Sequence, residues 1–125
     1  KLKLPLNFNP KYFPLPDTET ASCMVLSIQD SKMQNLLSLN FFKCVWIEEK
    51  DISNVKTLLE VCNNLQLDGE KILKDSKGFI NFYHSLADKA TKHNVFGSPS
   101  YVLNNEVFWG QDRLELLEEK ILENI

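Results

Sequence analysis

One stretch of this chain is patterned as β structure. In Ser100 to Gly110, SYVLNNEVFWG, β-branched and aromatic residues flank Asn104-Asn105, a pair that tolerates the positive φ of a tight turn. The stretch predicts a β-hairpin. A two-stranded hairpin is marginal in water and needs more sheet, or a helix, to pack on. No other segment reads as a convincing strand, so the hairpin's neighbours are expected from upstream sequence or from another chain. A first residue that is Lys rather than Met, inside a proline-rich connection, points the same way.

The rest of the chain carries helical periodicity. Residues 1–16, KLKLPLNFNPKYFPLP, hold four prolines, which fix φ and remove donors, and predict an extended connection. Asp17 or Thr18 can cap a first helix carrying Ala21, Met24, Val25 and Ile28. From Ser31 a wide stripe of Met33, Leu36, Leu37, Phe41, Cys44 and Val45 predicts a second helix with that whole stripe buried. Asp51 to Asn54 reads as the cap of a third, with Val55, Leu58, Leu59, Cys62 and Leu65 on one face. A short helix over 68–75 follows, and Gly78 is expected to break the pattern before an amphipathic helix with Phe79, Phe82, Tyr83, Leu86, Ala87 and Ala90 inward. After the hairpin, Leu114, Leu117, Ile121 and Leu122 define a last helix whose start, Asp112 to Glu115, has the form of a capping box.

Composition narrows the partners. A net charge of −3 and a pI near 5.4 exclude the clustered cationic surface that nucleic acid requires. No apolar run reaches the roughly 20 residues of a membrane span, so neither nucleic acid nor membrane is an expected partner. Cys23, Cys44 and Cys62 form neither a CxxC pair nor a zinc-ligand spacing, so no metal is assigned, and Cys44 and Cys62 sit on apolar faces as small hydrophobes. Unpaired thiols fit a reducing, cytoplasmic location, with mitochondrion and periplasm left open by the start of the chain. His84 and His93, and the charged runs 48–50 and 118–120, need no catalytic role.

The stretch that carries chemistry is Val95-Phe96-Gly97-Ser98-Pro99-Ser100, followed by Trp109-Gly110-Gln111-Asp112-Arg113. A helix end, then Gly-X-Pro, then a strand predicts a cis Ser98–Pro99 bond whose flanking main-chain N–H and C=O form a free strand edge for an extended ligand. Gly110 permits close approach, the first N–H groups of the last helix suit a carboxylate, and Asp112 suits an ammonium. Trp109 and Trp46 read more simply as packing residues.

On these two motifs the chain resembles the 2-hydroxychromene-2-carboxylate isomerase and kappa-class glutathione transferase group of DsbA-like thioredoxin-fold proteins, whose segments read V-F-G-V-P-T and F-W-G-Q-D-R-L. Ser98 departs from the usual Val or Leu. Kappa-class chains usually carry Gly-Ser-Asp-Arg where Gly110-Gln111-Asp112-Arg113 stands, which favours the isomerase branch. The resemblance implies an α/β, thioredoxin-like fold with an inserted helical domain, here a mostly helical fragment with a C-terminal hairpin and helix. It divides the chain into a connection over 1–16, a helical insert over 17–93 and the C-terminal part of the thioredoxin-like domain over 94–125.

The implied cofactor is glutathione, held by Ser98, Pro99, Trp109, Gly110, Gln111 and Asp112. The implied activity of the full-length parent is glutathione-dependent isomerisation of a small aromatic or conjugated carbonyl substrate. The nucleophile-side serine, or Cys-x-x-Cys, belongs to a segment expected upstream, so no catalytic residue is assigned within residues 1–125 and the fragment is expected to be inert. A kappa-class transferase, a DsbA-like oxidoreductase and a non-enzymatic binding module are the alternatives, and a homodimer is a state open to it.

Overall fold

The computed structural model describes residues 5–125, and the first four residues of the expected 1–16 connection lie outside the described residues. Six α-helices and one hairpin follow in the order α1 (Glu19–Ser27), α2 (Ser31–Trp46), α3 (Val55–Asn64), α4 (Gly69–Ser76), a 3₁₀ turn (Lys77–Phe79), α5 (Ile80–Lys92), β1 (Ser100–Leu103), β2 (Glu106–Trp109), a second 3₁₀ turn (Gln111–Arg113) and α6 (Leu114–Glu123). The chain divides into two compact units, one ending at Tyr83 and the other His84–Ile125, so the division falls inside α5.

The first unit is built by caps and one shared apolar face. Asp30 accepts from the Met33 N–H at the start of α2, Asn54 from Lys56 at α3, and Asp68 from Lys71 at α4, each satisfying a donor that a helix start leaves free. Helices α1 and α4 pack together, as do α1 with α2, α2 with α3 and α3 with α4. Met24, Leu37, Cys44, Leu58 and Cys62 are the fully buried centre. Gly69 makes the α3–α4 contact possible, because a Cβ there would stand 2.9 Å from Cys62 Cβ.

Several expectations are corrected here. The connection before α1 is coil but not uniformly extended: the Phe13 N–H donates to the Pro10 carbonyl across a turn, and the Phe13–Pro14 peptide bond is cis. Asn7 anchors the strap by donating its N–H to the Trp46 carbonyl, and the Phe13 ring lies 4.9 Å from that of Trp46. The α2 stripe is only partly covered: Leu37, Phe41, Cys44 and Val45 are buried, while Met33 and Leu36 are exposed. Gly78 breaks nothing, since helical turns continue through the 3₁₀ segment into α5. The apolar face of α5 buries no residue, because a periodic stripe does not ensure a partner to cover it. The 48–50 run lies on a solvated face as expected, where Lys50 pairs with both Glu48 (3.1 Å) and Glu60 (3.2 Å).

In the second unit β1 and β2 pair antiparallel, with Leu103 opposite Glu106 and Ser100 opposite Trp109. Asn104 and Asn105 take φ of 50° and 65°, the two positive values a two-residue turn of this hand demands. Helix α6 packs on both strands, and Phe108 is the buried residue of the hairpin.

Candidate functional site

The site follows from the register. Counting outward from the turn, Leu103 and Glu106 close the ladder, and hydrogen-bonded pairs recur at every second position. The next such pair after Tyr101 and Phe108 is Pro99 and Gly110, where the Gly110 N–H donates to the Pro99 carbonyl at 2.9 Å. The N–H and C=O groups of Ser100 and Val102 therefore point away from β2, along an edge that no other strand of the described residues pairs with. The Ser98–Pro99 bond at the start of that edge is cis. The Ser100 hydroxyl donates to the Gly97 carbonyl at 2.6 Å and holds the loop closed. Upstream, the Val95 N–H donates to the Ala90 carbonyl, ending α5 where the loop begins.

On the other strand, Gly110 has φ of 98°, a conformation that side chains rarely adopt, and a Cβ there would meet Asp112 Oδ1 at 2.5 Å. Glycine therefore lets the chain turn and lets the Asp112 carboxylate fold back over the turn. The expected capping box is not formed. The helix begins as the 3₁₀ turn Gln111–Arg113, the N-cap of α6 falls on Arg113, and neither start has a side-chain cap. The Asp112 carboxylate is left 77% exposed, with Arg113 Nε 4.0 Å away. Trp109, expected to pack, does so only in part: its indole lies against Gly97 while 63% of the residue stays exposed.

The structure thus brings Ser98, Pro99, Trp109, Gly110, Gln111 and Asp112 to the open end of one hairpin. Gly97 belongs with them, although the Gly-X-Pro pattern by itself gives it no contact with Trp109. A Cβ on Gly97 would lie 2.6 Å from Trp109 Nε1. The available signal was the register, which sets Trp109 opposite Ser100 and so close to residue 97.

The cysteines are elsewhere and are chemically quiet. All three are free and buried. Burial pushes the Cys62 thiol up to about 11. Burial, helped by Glu48, does the same for Cys44, also to about 11, against the opposing pull of Lys50. Cys23 is raised by burial, then by Glu19 and Asp17. A thiol so shifted holds almost no thiolate at neutral pH. A groove of about 500 Å³ among α1, α4 and the start of α3 has Cys23 and Ser76 in its lining, and the Ser76 hydroxyl is already donated to the Leu73 carbonyl. Among the described residues no three His, Cys, Asp or Glu side chains gather as a metal site. None of the described helices is long and apolar enough to cross a membrane.

A helical region followed by a cis-proline loop, an antiparallel hairpin and a closing helix defines a thioredoxin-like α/β fold with inserted helices. The family model of the DSBA-like thioredoxin domain matches residues 1–122, and the chain belongs to that family. No curated protein and no solved structure matches it.

Proposed function

We propose that this chain is the glutathione-holding part of a glutathione-dependent enzyme of the 2-hydroxychromene-2-carboxylate isomerase type, working in a reducing, cytoplasmic setting. The observation that carries the reading is the bond from the Gly110 N–H to the Pro99 carbonyl, which sets the Ser98-Pro99 loop and the Gly110-Gln111-Asp112 turn side by side.

The groups present fit a small zwitterionic peptide. The main chain at Ser98 offers an edge on which an extended backbone can pair as an added strand. Asp112, exposed and without a capping bond, is available to an ammonium group, and charge-assisted bonds of this kind are the strong ones. The Gln111 amide and the N–H groups of the 3₁₀ turn suit the adjacent carboxylate, and Gly110 keeps the approach free of a side chain. Bound glutathione supplies a thiolate able to add to a conjugated carbonyl and leave again. The second partner in this reading is a small aromatic or conjugated carbonyl compound.

A kappa-class transferase would use the same clamp, and Trp109 with Gln111 favours the isomerase branch. Membership of the DSBA-like family also fits thiol–disulfide exchange. In that reading the reactive pair would be a Cys-x-x-Cys of the upstream segment, since Cys23, Cys44 and Cys62 are buried and shifted away from the thiolate.

Calorimetric titration of glutathione into the chain should show saturable binding, weakened about tenfold or more in Asp112→Ala. Absence of binding to the folded wild-type chain at millimolar glutathione sinks the proposal and favours a non-enzymatic module.

A further inference from the structure

We infer that Gly97 and Trp109 form a selectivity element of this clamp: Gly97 positions the Trp109 indole beside the Ser98 edge, and the exposed ring takes a planar, unsaturated group carried on the sulfur of the bound tripeptide. The inference rests on the glutathione reading above and adds to it the residues that choose between sulfur substituents.

Trp109 stands directly opposite Ser100 in the ladder, so their side chains rise from the same face of the hairpin. The Ser100 hydroxyl ties that position to Gly97 through the Gly97 carbonyl. A Cβ built on Gly97 would stand 2.6 Å from Nε1, 3.0 Å from Cε2 and 3.2 Å from Cζ2 of the indole, so the ring occupies the space a side chain would need. Gly110 is the glycine with positive φ, and Gly97 is not, so the backbone at 97 does not itself demand glycine. What demands it is the indole. The ring is seated on the loop through Gly97 and remains 63% exposed. A large aromatic held in place with most of its surface in water is a ready contact for a flat partner. Ser98 is the next residue after Gly97, so a ligand paired on Ser98 lies beside this ring.

The test compares S-methylglutathione with S-benzylglutathione on the full chain by calorimetry. Wild type should bind the benzyl compound about three- to tenfold more tightly. That ratio should fall to about one in Trp109→Ala and persist in Trp109→Phe. In Gly97→Ala the ratio should also fall, and the Trp109 emission, isolated by subtracting the Trp109→Phe spectrum, should shift to the red as the ring swings into water. If Gly97→Ala fails to fold by circular dichroism, the two Trp109 variants decide the matter. Binding of S-methylglutathione with no benzyl preference, or a preference that survives Trp109→Ala, overturns the inference and leaves the clamp standing. Binding of neither compound overturns the clamp and the inference together.

Discussion

The two units divide the work of this chain. Up to Tyr83, residues from several helices converge on Met24, Leu37, Cys44, Leu58 and Cys62, and three helix starts are closed by Asp30, Asn54 and Asp68. From His84 onward, Phe108 is the buried hydrophobic, α6 leaves Leu114, Leu116, Ile121 and Leu122 exposed, and the last helix starts without a cap. Stability therefore resides in the helical unit, whereas the candidate chemistry sits on a thin layer of hairpin and helix. The site tolerates this because its geometry is set by main-chain register and two glycines rather than by deep packing.

Truncation tests the contrast at its widest. Leu58 is fully buried, so Leu58→Ala should cost about 3 kcal/mol through lost transfer energy and a residual cavity. Leu122, 64% exposed, should cost less than about 0.5 kcal/mol on the same change. Urea unfolding of the two variants measures both, and equal costs would mean that something covers α6 in solution.

Alkali provides a second, smaller contrast, since all the cysteines lie before residue 84. Cys44 and Cys62 are raised from 9.0 to about 11, so above pH 9 the unfolded chain releases their protons while the folded chain keeps them. The folded state then binds more protons, and stability falls as pH rises. The helical unit should lose roughly 1 kcal/mol per thiol between pH 8 and pH 10. Urea melts under reducing conditions check this, and a flat profile, or one unchanged in Cys62→Ala, would show that the thiols ionise freely in the fold.

What could be read beforehand follows the same division. Helices α2 to α4 announce themselves through a cap residue or the position beside it and a stripe at helical spacing, and both signals are local. The hairpin is legible because Asn104-Asn105 fixes a two-residue turn, and that turn dictates the pairing of Pro99 with Gly110 five positions away on each side. The family is legible in the same contiguous motifs. Exposure is not. The stripes of α2 and α5 show that a face is apolar without showing what meets it, and Met33, Leu36 and Phe82 meet solvent. Which side of the pleat is left open cannot be taken from the strand alone, so neither the exposure of Trp109 nor its seat against Gly97 is legible beforehand. Asp112 to Glu115 matches a capping pattern, but the 3₁₀ turn shifts the helix start past Asp112.

That last mismatch gives the finest test of the comparison, because two aspartates at helix starts hold different positions. Asp68 accepts the Lys71 N–H at 3.0 Å, and replacing such a cap by alanine costs about 1 kcal/mol. Asp112 accepts no capping bond, and its 4.0 Å approach to Arg113 is an exposed pair of little worth. Asp112→Ala should therefore leave the unfolding free energy within about 0.5 kcal/mol of wild type, while Asp68→Ala lowers it by about twice that or more. A cost that small at Asp112 would separate the carboxylate's part in ligand binding from any part in the fold. If Asp112→Ala proved as destabilising as Asp68→Ala, the residue would be a cap after all, and any loss of ligand binding in that variant would have to be charged to structure.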